Sequence, residues 1–300
     1  MKILMTVLMI LFLSNVNGQS AAETQIIAEK IGDRIEIRIN NNLLTNYILS
    51  EHEKYPFFFP VNGPSKASVT SMRNANYPHH SSLFFGCDKV NGGNYWQEGL
   101  ERGQIVTLRA DIIESGAEKV VIENENIWKR PGAMSPIKDF RTITVTAPSE
   151  NMYQIDFEIT MEMLLDVTIE KTNHSLLSIR MDPDLAVING GTMVNAEGET
   201  REEGTFGKRS AWMDYHGNRM GGTEGIAILQ HPSNKWFPSP WFTRDYGFFS
   251  PTPMYWPENG ENIVLNKGDA IELRYRVLVH SGDHKEAGIA EQFENYKKDK

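Results

Sequence analysis

Cysteine is nearly missing: Cys87 stands alone among 300 residues. No internal disulfide can form, so stability has to come from a large buried core. After residue 18 no apolar run approaches the roughly 20 residues that a membrane-crossing helix needs. Positive charge is also short, with 30 Lys and Arg against 39 Asp and Glu and a formal net charge of -9. That balance argues against nucleic acid and against an anionic lipid surface as partners. Helical periodicity is confined to one short C-terminal stretch, 287–296. There is no Gly-x-Ser-x-Gly elbow, no Gly-rich phosphate loop ending in Lys-Ser/Thr, no His-Glu-x-x-His and no dinucleotide fingerprint, which sets aside serine hydrolases, nucleotide enzymes and zincins. No carboxylate and histidine set stands out with metal-ligand spacing, so neither a metal nor a cofactor is expected.

Residues 1–18 begin with a lone cation, Lys2, continue through the apolar run from Ile3 to Leu13 and end on Val16-Asn17-Gly18. This is the pattern of a cleaved secretory leader, and it predicts a periplasmic or secreted chain, soluble once the leader is removed. From there to residue 300 no composition shift marks a boundary, and no repeat of 20–50 residues is visible, so 19–300 is expected to form one domain. Alternation of apolar and polar residues dominates, as in Arg34-Ile35-Glu36-Ile37-Arg38-Ile39 and Arg141-Thr142-Ile143-Thr144-Val145-Thr146. Period two denotes half-buried strands, and further strands are expected at 44–50, 103–115, 118–129, 152–162, 164–172, 175–182, 224–231 and 269–280. The predicted fold class is all-β: a large antiparallel β-sandwich with a short C-terminal helix.

Chemistry-bearing residues gather in five places. The stretch 231–247 puts His231, Asn234, Trp236, Trp241, Arg244 and Tyr246 among Pro232, Pro238 and Pro240, which predicts a stiff shaped loop outside any helix or central strand. It reads as a wall for a polar ring, or else as a plug at the end of a sandwich. Upstream, Tyr77-Pro78-His79-His80 follows the aromatic run Phe57-Phe58-Phe59 and Asn62. On a flat strand adjacent histidines point to opposite faces, so one of the pair is expected in any given pocket. His174, Leu176, Ser178 and Arg180 share strand parity; that face lines a polar cleft, or Asp182 neutralises Arg180. Lys208, Arg209, Trp212, Asp214 and Tyr215 put cations and rings beside an acid, a mixture suited to an acidic or sulfated sugar and equally to a solvated turn. Arg274, Arg276 and His280 share a face read as solvent-exposed.

The segments Phe57-Phe58-Phe59-Pro60-Val61-Asn62-Gly63-Pro64, Tyr77-Pro78-His79-His80, Asp88-Lys89-Val90-Asn91-Gly92, His231-Pro232-Ser233-Asn234, Pro240-Trp241 and Arg244-Asp245-Tyr246-Gly247 resemble a bacterial family of unknown function commonly labelled "methane oxygenase PmoA". The label fits this chain poorly, because a particulate methane monooxygenase subunit is an integral membrane protein. The resemblance implies a galactose-mutarotase-like supersandwich and exported carbohydrate work. It carries over His79, His80, His231, Asn234, Trp241, Arg244 and Tyr246 as site residues. Where the family pattern has Arg after the His pair and His after Phe-Gly, this chain has Ser81 and Cys87.

The expected function is cleavage of a C–O bond in oligosaccharides from a plant or algal polysaccharide, by elimination or hydrolysis. For elimination, His79 or His231 is the base, Tyr246 the acid, and Arg244 or Arg180 the partner of a uronate. Substrate contacts are assigned to Asn62, His80, His174, Arg180, Asp214, Asn234 and Trp241. Hydrolysis would draw its two carboxylates from Asp214, Asp245 and Glu224. The rivals are a non-catalytic carbohydrate-binding protein using Trp212, Trp236, Trp241 and Trp256, and a sugar epimerase by analogy of fold. The expected partner is an oligosaccharide, uronate-containing or sulfated, and not nucleic acid or membrane.

Overall fold

The structure is a computed structural model that describes residues 24–299 except Glu98, Ala117 and Met220. The leader at 1–18 lies outside the described residues. Among the described residues, two eight-stranded antiparallel sheets form the body of the molecule, with two further two-stranded ribbons beside them. In spatial order the first runs Ile26–Ile31, Arg34–Ile39, Asn42–Ile48, Phe57–Val61, Leu83–Cys87, Ser175–Arg180, Phe248–Pro251 and Trp241–Arg244. The second runs Thr192–Asn195, Trp212–Arg219, Gly222–Gln230, Ala270–Ser281, Met152–Met163, Ile137–Ser149, Lys119–Lys129 and Gln104–Glu114. The all-β antiparallel fold expected from period-two patterning is the fold observed, and the helix expected at 287–296 is Ile289–Tyr296.

The sheets pack face to face through the residues that the alternation put on one side. In Met152–Met163 the side chains of Ile155, Phe157, Ile159, Met161 and Met163 are buried, while Glu158 and Glu162 are exposed. Phe157 meets Phe58 of the opposite sheet edge-on at 5.6 Å between ring centroids. Each such ring removed from water contributes about 1.5–3 kcal/mol, which is how a chain with no disulfide holds together. A buried ion pair sits in this core. Arg141 is 4% exposed and donates to both oxygens of Asp139, at 2.7 and 3.2 Å. The indole of Trp128 (2.6 Å) and the amide of Asn126 (2.8 Å) also donate to that carboxylate, so its lone pairs are used.

Two expectations about elements are corrected. The strand expected at 164–172 shrinks to Val167–Ile169, paired with Ile263–Leu265. The Pro-rich stretch 231–247 is not loop throughout. Trp241–Arg244 forms the edge strand of the first sheet, and on its outer side Trp241 exchanges backbone hydrogen bonds with Gly207 and Lys208. Outside the sandwich, the helix Ile289–Tyr296 covers Trp212, Leu229 and Leu278 on the far face of the second sheet.

Candidate functional site

A row of polar rings runs beside the strand Ser175–Arg180, in the middle of the first sheet, and strand pairing explains how it is assembled. Antiparallel pairing sets Cys87 opposite Ser175. Asp88, just after one strand, and His174, just before the other, therefore emerge together. The Asp88 amide donates to the His174 carbonyl at 2.8 Å. At the far end Arg180 lies opposite Phe248, and the Met181 amide donates to the Gly247 carbonyl at 2.7 Å. That bond fastens the turn carrying Tyr246, which closes through Gly247 N to Arg244 O at 2.9 Å. Gly247 has φ +99 and a built Cβ would come within 3.0 Å of Met181 Cβ, so the turn requires glycine. The strand Tyr77–Ser81 then brings its rings over the same surface, with the Ser82 carbonyl accepting from the Arg180 amide at 2.8 Å.

The order along the row is set by ring contacts. The Arg180 guanidinium lies over Tyr246 and Tyr77, 4.7 and 5.1 Å from their centroids. Those two rings stack at 4.2 Å. Tyr77 stacks on His80 at 5.2 Å, His80 meets His79 at 4.4 Å, and His79 meets His174 at 5.9 Å. His174 in turn stacks on Trp96 at 5.6 Å. His79 and His80 thus join one cluster, against the expectation of one ring per face. The strand that carries them is short, its pairing with Met72–Asn74 slips, and Arg73 and Ser82 have φ +50 and +64, so flat-strand alternation does not apply. Tyr77, His79, His174 and Tyr246 are half-buried and form the accessible rim, while His80, Trp96 and Arg180 are buried. A cavity of about 290 Å³ opens beside the row, lined by Tyr55, Arg73, His79, Ser81 and Trp96 among others.

The electrostatics are one-sided. Arg180 is 4% exposed, as Arg141 is. Yet its Nε and Nη1 have no hydrogen-bond partner, and among the described residues no carboxylate pairs with it. Asp182 instead lies 3.7 Å from Arg219. Burial lowers the Arg180 pKa, with the tyrosine rings opposing the effect. Burial, reinforced by His79, Arg180 and His174, pushes His80 down to about 2, so its imidazole is neutral, and its Nδ1 also lacks a partner. The carboxylate in the cluster is Asp88. Burial acts to raise its pKa, but hydrogen bonding to His174 and the Lys89 amide outweighs this and holds it below the ordinary range. Gln97 sits between the two groups, its amide 2.9 Å from His174 Nδ1 and 3.3 Å from Asp88 Oδ2. The Gln97 amide and the Asp88 carboxylate together hold the Nδ1 side of the His174 ring and leave its Nε2 side free of them. Tyr246 is raised to about 12, chiefly by burial, and stays a proton donor at neutral pH.

Of the expected residues, His79, His80, His174, Arg180 and Tyr246 come together. The others have different neighbours. His231 bonds Ser233 and the Asp299 carbonyl and packs on Tyr296 of the C-terminal helix. Asn234 exchanges hydrogen bonds with the Arg274 backbone. Trp241 is fully buried, its indole donating to the Ser210 carbonyl, so it is core and not wall. Asn62 donates to the Leu43 carbonyl. Arg244 neighbours Tyr246 in the chain but is held by Glu202 at 2.6 Å and lies over Phe242. Asp214 belongs to a separate histidine cluster under the C-terminal segment, where Asp214, His216 and His284 could hold a metal ion. The face of Arg276 and His280 is covered, not solvated: Arg276 pairs with Asp156 and Asp299, and His280 is 0% exposed. Cys87 is buried in the core, while Ser81 lines the cavity.

Sequence reasoning passed over Tyr77 and Asp88, although both stood inside the quoted motifs. For Trp96 and Gln97 no sequence signal was available, since only the strand pairing brings them to His174.

Residues 34–294 match the model of a family of unknown function, DUF6807; the methane-oxygenase label is not supported by this match. No curated protein matches the sequence. Among solved structures, the chain is similar to one described as a putative aldose 1-epimerase from Escherichia coli K12, at 11% identity over 86% of this chain and 99% of that one, TM-score 0.33. It is similar to a galactose mutarotase related enzyme from Lactobacillus acidophilus, at 7% identity over 85% and 97%, TM-score 0.30. It is also similar to a polysaccharide lyase at 11% identity over 88% of this chain and 33% of that one, TM-score 0.28.

Proposed function

We propose, for a chain that belongs to the family of unknown function DUF6807, that the row from Arg180 to His174 binds an acidic oligosaccharide outside the cytoplasm and cleaves a C–O bond in it by β-elimination. One observation carries this reading: a buried guanidinium with two unpartnered donors, beside three imidazoles and a single carboxylate that is already engaged. Buried charge without a partner is costly, and a uronate carboxylate supplies the missing acceptor with the geometry that Arg binds best. The half-exposed rings of Tyr77 and Tyr246 provide apolar faces with polar tips, suited to a pyranose ring.

In this mechanism Arg180 neutralises the uronate carboxylate and so stabilises the enolate that forms on proton loss. His79, at the cavity edge, takes the proton from C5. The electron pair of the broken C5–H bond forms the C4=C5 double bond as the C4–O bond breaks. Tyr246 gives its phenolic proton to the departing oxygen, and the Nε2 edge of His174 hydrogen-bonds the sugar. Hydrolysis through two carboxylates finds less support. Glu224 is bonded to Ser65 and Arg219, and Asp245 to the Glu202 amide and Arg201.

A second reading, binding without turnover, is favoured by a cleft of about 340 Å³ lined by Arg209, Lys235, Trp236, Phe237 and Trp256. Of the tryptophans proposed as platforms, Trp236 and Trp256 are half-buried and accessible, whereas Trp212 and Trp241 are core. Incubation of the mature protein with oligouronides separates the readings. New ultraviolet absorbance from a 4,5-unsaturated uronate, abolished in His79→Ala, supports elimination. Retained binding with no new absorbance and no mass change supports the binding protein and removes the lyase reading.

A further inference from the structure

A second cluster of titratable groups lies on the opposite side of the sandwich and takes no part in the proposed elimination. On the strand Trp212–Arg219, Met213 and Tyr215 point into the inter-sheet core, so Trp212, Asp214 and His216 point outward beneath the C-terminal segment. Asp214 is 0% exposed. Its Oδ1 lies 2.5 Å from His216 Nδ1 and its Oδ2 lies 2.7 Å from His280 Nε2. Between the two histidine-bearing strands runs Gly222–Gln230, whose Gly225 pairs with His216 on one side and His280 on the other. A Cβ at Gly225 would come within 2.7 Å of both His216 Cβ and His280 Cε1. Glycine is therefore required to make room for the two side chains.

His284 closes the cluster from above. It follows Gly282, φ +79, on the turn that leads to the helix Ile289–Tyr296, and its ring stacks on His216 at 5.5 Å. Its Nδ1 is buried and has no hydrogen-bond partner. Asp214, His216 and His284 each offer one ligand atom, all within 4.8 Å of one another. Tetrahedral zinc with bonds of about 2.0–2.1 Å spaces its ligands by roughly 3.4 Å, so a small inward shift of the His284 turn completes three sides of such a site. Two imidazoles and a carboxylate select a borderline divalent ion such as Zn²⁺ over Ca²⁺ or Mg²⁺, which take oxygen donors. His280 is then a positioning residue, its hydrogen bond orienting the ligating carboxylate.

We propose that Asp214, His216 and His284 form a divalent transition-metal site that clamps the C-terminal segment onto the second sheet. The site is structural and independent of the elimination chemistry, so either proposal can fail without the other.

The test uses tag-free mature protein stripped with chelator and titrated with Zn²⁺ in a calorimeter, with Co²⁺ as an optical probe. One equivalent is expected to bind, to raise Tm and to slow tryptic cleavage after the exposed Lys285. His284→Ala, on a half-exposed turn outside both sheets, keeps the fold by circular dichroism and loses at least tenfold in Zn²⁺ affinity together with the Tm shift. His216→Gln supplies the same readout from the strand. No binding to the wild type, or equal binding by wild type and both variants, overturns the assignment.

Discussion

Replacing Arg180 by methionine separates the roles of two equally buried arginines. Arg141 is saturated by Asp139, whereas Arg180 has ring faces and no acid. Exchanging an uncompensated buried charge for an apolar side chain of similar length is neutral to stabilising by about 1–4 kcal/mol. Loss of the two ring contacts takes back about 1–2 kcal/mol. The net change lies between a loss of about 2 and a gain of about 3 kcal/mol, so Tm falls by no more than roughly 8 °C and rises by no more than roughly 12 °C. Arg141→Met strands the Asp139 carboxylate in the core, costs about 3–5 kcal/mol and lowers Tm by roughly 6–20 °C. Function is predicted to move the other way. Each charged hydrogen bond from Arg180 to a uronate contributes about 1.5–3 kcal/mol, so Arg180→Met weakens oligouronide binding roughly 10- to 150-fold per bond lost, while folded Arg141→Met binds normally. Differential scanning calorimetry and titration calorimetry read both quantities on the same samples. If Arg180→Met is as destabilised as Arg141→Met and the affinity is unchanged, the guanidinium is a structural element and the reasoning fails.

Further outcomes follow from the neighbouring groups. His80 is held neutral down to about pH 2, whereas an unfolded histidine takes up a proton near pH 6.5. Between those values the unfolded chain binds a proton that the native one refuses. The His80 contribution is therefore complete above about pH 6.5 and is lost on acidification, by up to about 1.4 kcal/mol per pH unit. His80→Gln should flatten the acid limb of the Tm-versus-pH curve by that slope, and an unchanged limb counts against the assignment. Asp88→Asn is expected to raise KM roughly 10-fold with a smaller change in kcat, because His174, which hydrogen-bonds the sugar, loses its positioning partner; an unchanged KM would count against that role. Tyr246→Phe keeps the stack and removes the proton, so a loss of about 10²-fold in kcat is expected, and a loss under threefold makes the ring only a wall. His231→Ala should keep turnover within twofold, since its partners are Ser233, Asp299 and Tyr296.

The legible parts of the sequence were those where a local period reports a physical environment. Period two in 141–146 and 152–163 named strands and their buried faces, and the absence of helical period elsewhere set the all-β class. The strands that hold the site were harder to read. Leu83–Cys87 and Ser175–Arg180 are buried on every residue, so no alternation distinguishes their two faces. His79, His80, His174, Arg180 and Tyr246 were found as polar groups in extended or turn contexts. His231, Asn234 and Trp241 were grouped with Tyr246 because they are near it in the chain, but the edge strand Trp241–Arg244 carries Tyr246 away from them to the Arg180 end of the sheet. The metal-type cluster was invisible for the opposite reason. Asp214 and His216 are two residues apart, but His280 and His284 reach them only through the strand order and the return of the C-terminal segment.

The measurement that bears most directly on the site is a crystal structure of the mature protein soaked with a short oligouronide. A carboxylate is predicted at hydrogen-bond distance, about 2.7–2.9 Å, from the Arg180 guanidinium, with the sugar ring against Tyr246 and its C5 facing His79. A saccharide ordered only in the Trp236 and Trp256 cleft, with the Arg180 nitrogens still lacking an acceptor, would contradict it.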